Sequence, residues 1–440
     1  MIPWAAQRTE DPDFEDAEVP VEAFVIVSPT DGVQLEIKVW IQLETGNNLA
    51  NKVKDEMGLP NHAKVELSRD GEAIKPNVQL AKQGIVDGTK LKATVSINKA
   101  LDNKSIKDAV AKWQSMALRP ETKQEVVDEY GDIGEWNTSE VTDMSKLFEY
   151  CRDFNEDISQ WDTSKVKNMN EMFYHARSFN KPLEAWDVSN VEDMQCMFCG
   201  AGTFNQPLEA WDVSKVEHMN SMFAHANAFN QPLEAWDVSK VEDMNSMFYF
   251  ATSFNQPLEG WGGKVGRVKD MNGMFCEAHN FNQPLEEWDV SNVENMSYMF
   301  NHAHNFNRPL KGWGGKVGRV KDMSRMFCNA KSFNQPLEEW DVSNVEDMQL
   351  MFMGAQTFNQ PLNAWGKKVG RVKNMASMFR DAESFNQPLE AWDVSNVEDI
   401  NGMFRDAGSF NRNQSLEEWG EKIGFLRTLE TRHWKNGGRN

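Results

Sequence analysis

Two cysteines, Cys196 and Cys199, form the only Cys-x-x-Cys of the chain. That spacing serves tetrahedral zinc or dithiol chemistry, but zinc needs two more ligands close by. The remaining thiols, Cys151, Cys276 and Cys328, lie far along a chain that repeats every 25 or 27 residues. With coils stacked ~4.8 Å apart, thiols two coils apart in one column sit ~10 Å from each other, beyond the ~7 Å Cα separation a disulfide tolerates. The pair therefore reads as small, buried or half-buried residues, and all five thiols are expected free. His175, His225 and His302 share one repeat position in nonadjacent repeats, so they cannot share a metal. His302 and His304 are near one another without an adjacent acid–nucleophile set. Gly262-Gly263-Lys264, echoed from Gly314 and from Gly366, is similar to a phosphate loop, but no GxxxxGK[ST] stands there and no buried strand precedes it. No metal, cofactor or catalytic residue is expected, and the chain is read as a non-enzyme.

Two polar columns remain. Asn180, Asn205, Asn230, Asn255, Asn282, Asn307, Asn334, Asn359 and Asn386 recur in register, and stacked asparagines serve best by satisfying turn backbone in neighbouring coils. Beside them run Gln206, Gln231, Gln256, Gln283, Arg308, Gln335, Gln360 and Gln387. Lys181 and Arg308 interrupt this second column, which suggests exposure, and it is the candidate binding face. A third column alternates in sign: Glu242, Lys269, Glu294, Lys321, Glu346, Lys373, Glu398. Like charges ~5 Å apart would repel, and alternation converts that repulsion to pairing.

These columns exist because the chain repeats. Twelve tryptophans from Trp136 to Trp419 are spaced 25 or 27 apart, which accounts for 16 Trp, 26 Phe and 24 Met against 5 Tyr. Within one unit, Val191, Met194, Met197, Phe198 and Ala201 follow a helical stripe. Ser189 and Glu192 have capping-box spacing, repeated from Ser214/Glu217 to Ser395/Glu398. The spacing predicts one short helix there, with the extended segment between Phe204 and Val213, and Pro207 limiting its ladder. Neither piece can bury its apolar face alone, so the coils must stack. The unit, Trp-Asp-x-Ser-x-Val-x-x-Met-x-x-Met-Phe-x-x-Ala-x-x-Phe-Asn-Gln-Pro-Leu, resembles the BspA-type leucine-rich repeat of bacterial surface proteins. The resemblance implies a right-handed α/β solenoid over 136–419 that binds non-covalently.

Upstream, Phe24 to Val27 reads as a strand and Pro29-Thr30-Asp31-Gly32 as a turn. Val33, Leu35, Ile37 and Val39 alternate as a second strand. Leu49, Val53 and Met57 share a helix face that Gly58-Leu59-Pro60 ends. Val65 and Leu67, then Leu91, Ala93 and Val95, supply later strands. Residues 23–98 thus resemble the ubiquitin-like β-grasp fold, an α+β unit. The resemblance departs at the interface: the positions of ubiquitin's apolar patch hold Thr30, Glu66 and Thr94, and Val95 runs on without a terminal Gly-Gly. The unit is either a capping module or a partner-binding one. Residues 1–22 read as a disordered acidic tail, 99–135 as a helical cap and linker, and 420–440 as a C-terminal cap and tail. In the helical cap, Ile106, Ala109, Val110, Trp113 and Met116 make one face and Val126, Val127 and Tyr130 another.

A formal charge of −21 argues against wrapping nucleic acid or docking on anionic lipid. No apolar run reaches the length of a membrane span, and the N-terminus has neither the basic nor the apolar region of a signal peptide. The expectation is a monomeric, intracellular scaffold or adaptor that binds protein. The alternative is a cell-surface adhesin of the BspA-like type.

Overall fold

The computed structural model describes residues 22–29, 34–41, 43–59, 63–114, 120–410 and 419. The expected acidic tail through residue 21, the Asp31-Gly32 turn, Val33, Pro60, Met116 and the cap and tail at 420–440 lie outside the described residues. The chain divides into two compact units at Lys99/Ala100.

In the first unit, β1 (Glu22–Pro29), β2 (Leu35–Trp40), α1 (Gly46–Glu56), β3 (Ala63–Arg69), β4 (Glu72–Ala73) and β5 (Lys90–Ile97) build a mixed sheet of order β2-β1-β5-β3-β4. Only the β1–β5 pair is parallel. Alternation puts Ile37 and Val39 of β2, and Leu91 and Ala93 of β5, into a core closed by Leu49 and Val53 of α1. Thr45 caps α1: its side chain accepts from Asn48 N, and its own N–H donates to Asn48 Oδ1 at 2.8 Å. The two-residue β4 pairs antiparallel with the end of β3.

The second unit opens with α2 (Asn103–Gln114) and α3 (Pro120–Tyr130). Ile106, Ala109, Val110 and Trp113 are buried from α2, and Val126 and Tyr130 from α3. Trp113 and Tyr130 meet the first repeat tryptophan, Trp136, edge-on, so the helices cover the open end of the first coil.

The repeats then stack. Parallel bridges link the same position of successive coils from Asp143–Asn168 to Asn374–Asp399. Two phenylalanine columns run through the core, for example Phe198–Phe223 at 5.7 Å and Phe204–Phe229 at 6.1 Å, stacked almost parallel. From Trp161 to Trp392 each repeat indole N–H donates across to the preceding turn of the stack, as Trp211 Nε1 does to Leu183 O at 3.0 Å. A buried indole thereby keeps its hydrogen bond.

The expected helix is absent from the described coils, and so is the α/β character it implied. From Met194 to Ala201 the chain is a staircase of turns. The amides of Met194, Cys196, Phe198 and Gly200 donate to His218, Asn220, Met222 and Ala224 of the next coil. Those of Met197, Cys199 and Ala201 close turns onto the carbonyl three residues back. A helix would turn every amide beyond its first turn onto a carbonyl of the same coil, leaving these unable to join coils. The staircase repeats every four residues, with left-handed φ at Cys196 and Gly200, close enough to 3.6 to imitate a helical stripe. The stripe residues are indeed the buried ones. The capping-box reading fails with the helix: Ser189 N donates instead to Asp187 Oδ1 at 3.0 Å, an Asx turn. The extended position is also displaced, because the bridge falls at Asp193 and its equivalents rather than between Phe204 and Val213. Three of the 27-residue coils absorb their insertions as 3-10 turns, over Glu259–Val265, Lys311–Arg319 and Asn363–Val369.

Candidate binding surface

With the backbone frame fixed by the interior, each outward position becomes a column at constant pitch. The asparagine column is structural: from Asn180 to Asn359 each Oδ1 accepts the backbone N–H of the asparagine one coil on, as in Asn205 N to Asn180 Oδ1 at 2.9 Å and Asn386 N to Asn359 Oδ1 at 2.9 Å. The ladder begins one coil earlier, at Asn155.

The glutamine column is fastened to it. Gln206, Gln231, Gln256, Gln283, Gln335, Gln360 and Gln387 each donate Nε2 to the carbonyl and to Oδ1 of an asparagine in the preceding coil, Gln206 at 3.2 and 3.0 Å to Asn180. Arg308 replaces this with Nε donating to Asn282 O at 2.8 Å. These glutamines are half-buried, and Arg308 is exposed. Their donors serve the stack, and Oε1 takes no part in the ladder.

The charge column pairs in one direction. Lys269 bridges to Glu242 at 2.7 Å, Lys321 to Glu294 at 2.6 Å and Lys373 to Glu346 at 3.0 Å, always toward the preceding coil. The hydrogen bond from lysine, then its charge, holds each of these carboxyls below the usual range. The glycine-rich loops likewise turn inward: Lys264 Nζ donates to Trp236 O at 3.0 Å, Lys316 to Trp288 O and Lys368 to Trp340 O. The lysine that suggested a phosphate loop is occupied by backbone.

One surface breaks the uniformity. Two residues per coil adopt left-handed φ, from Lys146 and Tyr150 to Gly402 and Asp406. The second of these columns reads Tyr150, His175, Gly200, His225, Phe250, Glu277, His302, Asn329, Gly354, Asp381, Asp406. Tyr150 stacks on His175 at 5.5 Å, and His225 on Phe250 at 4.9 Å. Burial, then Arg177 and Arg152, lowers the His175 pKa; burial, then His175, lowers that of His225. Farther along, Glu277 accepts from His279 at 2.9 Å and lies 3.9 Å from His302. His279 and His304 stack at 4.6 Å, and Asn329 meets the other face of the cluster at His302 Nε2, 3.0 Å away. Among the described residues no group of His, Cys, Asp and Glu is arranged to hold a metal ion.

A family model described as "Mycoplasma protein of unknown function, DUF285" matches residues 121–224, 182–265, 225–315, 263–365 and 335–423. The chain belongs to this family. The overlapping DUF285 windows are what a repeat produces when one model fits at several offsets. No curated protein matches the chain. Among solved structures, one described as "Molecular Mimicry of SUMO promotes DNA repair" is 17% identical and covers 16% of this chain and 89% of its own, at a TM-score of 0.15. A second, the solution structure of a computationally designed protein templated on human erythrocytic ubiquitin, is 26% identical and covers 18% and 92%, also at 0.15. The likeness of the first unit to the ubiquitin-like fold is weak at these scores, and its description rests on its own sheet order. Glu66 and Thr94 are exposed cross-strand partners there, and Thr30 is outside the described residues.

For the DUF285 repeats, sequence reading missed the left-handed ridge and the place of Glu277 and His279 in the histidine cluster. One signal was available. The column after Met-Phe-x changes residue type at almost every coil, while the flanking Phe, Ala and Asn columns scarcely change.

Proposed function

We propose that this DUF285 chain is a non-enzymatic scaffold that binds another protein along the variable left-handed ridge of its repeat stack. One observation carries the reading: the coils reuse the same interior and the same Asn–Gln ladder, yet differ along the ridge. Residues that fill the core or hold the ladder are fixed by packing, and outward positions on a rigid frame are the ones open to encode recognition. Tyr150, Tyr174, His225, Tyr249 and Phe250 supply rigid aromatic contact at the N-terminal end, the kind of side chain that anchors protein interfaces. The glutamine column, the face suggested by sequence alone, is a weaker candidate, since only Oε1 is left to a partner. The stack is read as a BspA-like solenoid and the first unit as a β-grasp module. An intracellular adaptor is favoured over a surface adhesin. Among the described residues no helix is long and apolar enough to cross a membrane, which fits either location.

Pull-down with the tagged full chain, in low and high salt, tests the reading. The expected result is a protein partner retained by wild type and by Q206A/Q231A, and lost with Y150S/Y174S/F250S. Equal retention by the ridge variant overturns the ridge assignment. Protease treatment of intact cells that removes the chain would favour the adhesin.

A further inference from the structure

Cys196 and Cys199, read from sequence as inert small residues, are brought together by the turn staircase. Cys199 N donates to Cys196 O at 3.0 Å, closing Cys196-Met197-Phe198-Cys199 as a β-turn, which sets the two Cα atoms within ~7 Å. The two thiols are close enough to shift each other's protonation in opposite directions. Cys196, in the left-handed position at φ 52°, is half-buried, whereas Cys199 is buried at 8% exposure. From this geometry we infer that Cys196 and Cys199 form a reversible dithiol–disulfide site that reacts with low-molecular-weight disulfides, Cys196 attacking and Cys199 resolving.

The chemistry balances as follows. The Cys196 thiolate attacks one sulfur of a disulfide RSSR, an S–S bond forms to Cys196, and RS⁻ leaves and takes a proton. Cys199 then loses its proton and attacks the Cys196 sulfur, and the second RS⁻ leaves. One RSSR is reduced to two RSH and the pair is oxidised by two electrons. The surroundings favour that order. The nearby Cys199 thiol, reinforced by Ser221, holds the Cys196 thiol below its usual range against burial and the nearby Glu171 and Asp193. Cys196 and burial push Cys199 up. Burial pushes Cys151 and Cys276 up to about 12 and Cys328 to about 11, so they are poor nucleophiles. The site does not depend on the ridge binding a protein.

The test uses reduced full-length protein and oxidised glutathione, followed by alkylation and peptide mass mapping. The expected outcome is a Cys196–Cys199 disulfide and two glutathiones released per site, formed roughly tenfold or more faster than any adduct at the other three thiols. Dithiothreitol should restore both thiols. Cys199→Ser should accumulate glutathione on Cys196, and Cys196→Ser should leave Cys199 unmodified. Circular dichroism of each variant confirms that it is folded. Two free, alkylatable thiols after treatment would overturn the proposal, as would oxidation falling equally on Cys151, Cys276 or Cys328, or a Cys196→Ser chain that takes glutathione on Cys199 as readily.

Discussion

Asn255 illustrates how one residue type solves two problems at once. Its Oδ1 accepts from Asn282 N at 2.9 Å and from Gln283 Nε2 at 3.1 Å. Asn255→Ala leaves both donors without that partner in a half-buried position, so the expected loss is about 1–3 kcal/mol in urea unfolding. Gln283→Ala removes a donor rather than an acceptor and should cost less, about 0.5–1.5 kcal/mol. Equal losses would mean that the asparagine backbone bond contributes nothing special. The left-handed positions give a prediction of opposite sign. Ser246 sits at φ 55°, where a Cβ is disfavoured by ~1–2 kcal/mol, partly offset by the extra freedom glycine has when unfolded. Ser246→Gly should therefore stabilise the stack by about 0.5–1 kcal/mol in the same melts. Gly200→Ala should destabilise it, because a Cβ there would run into the His175 ring.

At the scale of the element, the sequence was readable where one periodicity has one meaning. Ile37 and Val39 alternate because a strand buries every second residue, and Leu49 and Val53 mark a helix that is there. The same reasoning misread Val191, Met194, Met197, Phe198 and Ala201. The inward-facing residues were identified correctly, but a four-residue turn repeat and a 3.6-residue helix put nearly the same positions inside. What separates them is where the amides donate, and that depends on the neighbouring coil, which a single unit does not contain. The Asn ladder was legible because its partner is a copy of itself. The ridge was not, since nothing in a tyrosine or histidine codon column announces positive φ. Charge alternation was legible as pairing but not as directional. All three lysines reach back one coil, so Lys321→Glu should leave Glu294 unpaired and lower the urea midpoint at low salt, with the difference shrinking at 0.5 M salt as exposed charges are screened. The pH dependence follows from the same pairs. Glu242, Glu294 and Glu346 have lowered pKa values, so their contribution is complete above the usual carboxylate range and is lost as pH falls through the lowered values. Lys321 and Lys373 are raised, so theirs is complete below the usual lysine range and is lost as pH rises through the raised values. Urea melts at neutral pH and low salt in which Lys321→Glu matches wild type would remove any energetic meaning from the alternation.

Across the whole molecule, on the proposed function, stability and recognition fall to different sets of columns. Phe, Trp, Met and Asn repeat because each coil must fit the next, and the ridge varies because it faces outward from a frame that does not need it. Site-specific photo-crosslinking tests that division most directly. A photoreactive residue placed at Tyr150, His225 or Asn329 of the full chain should give a discrete adduct with one protein, whereas the same residue at Gln231 or Gln335 should give none. Adducts from the glutamine column with none from the ridge, or equal labelling from both, would contradict the account.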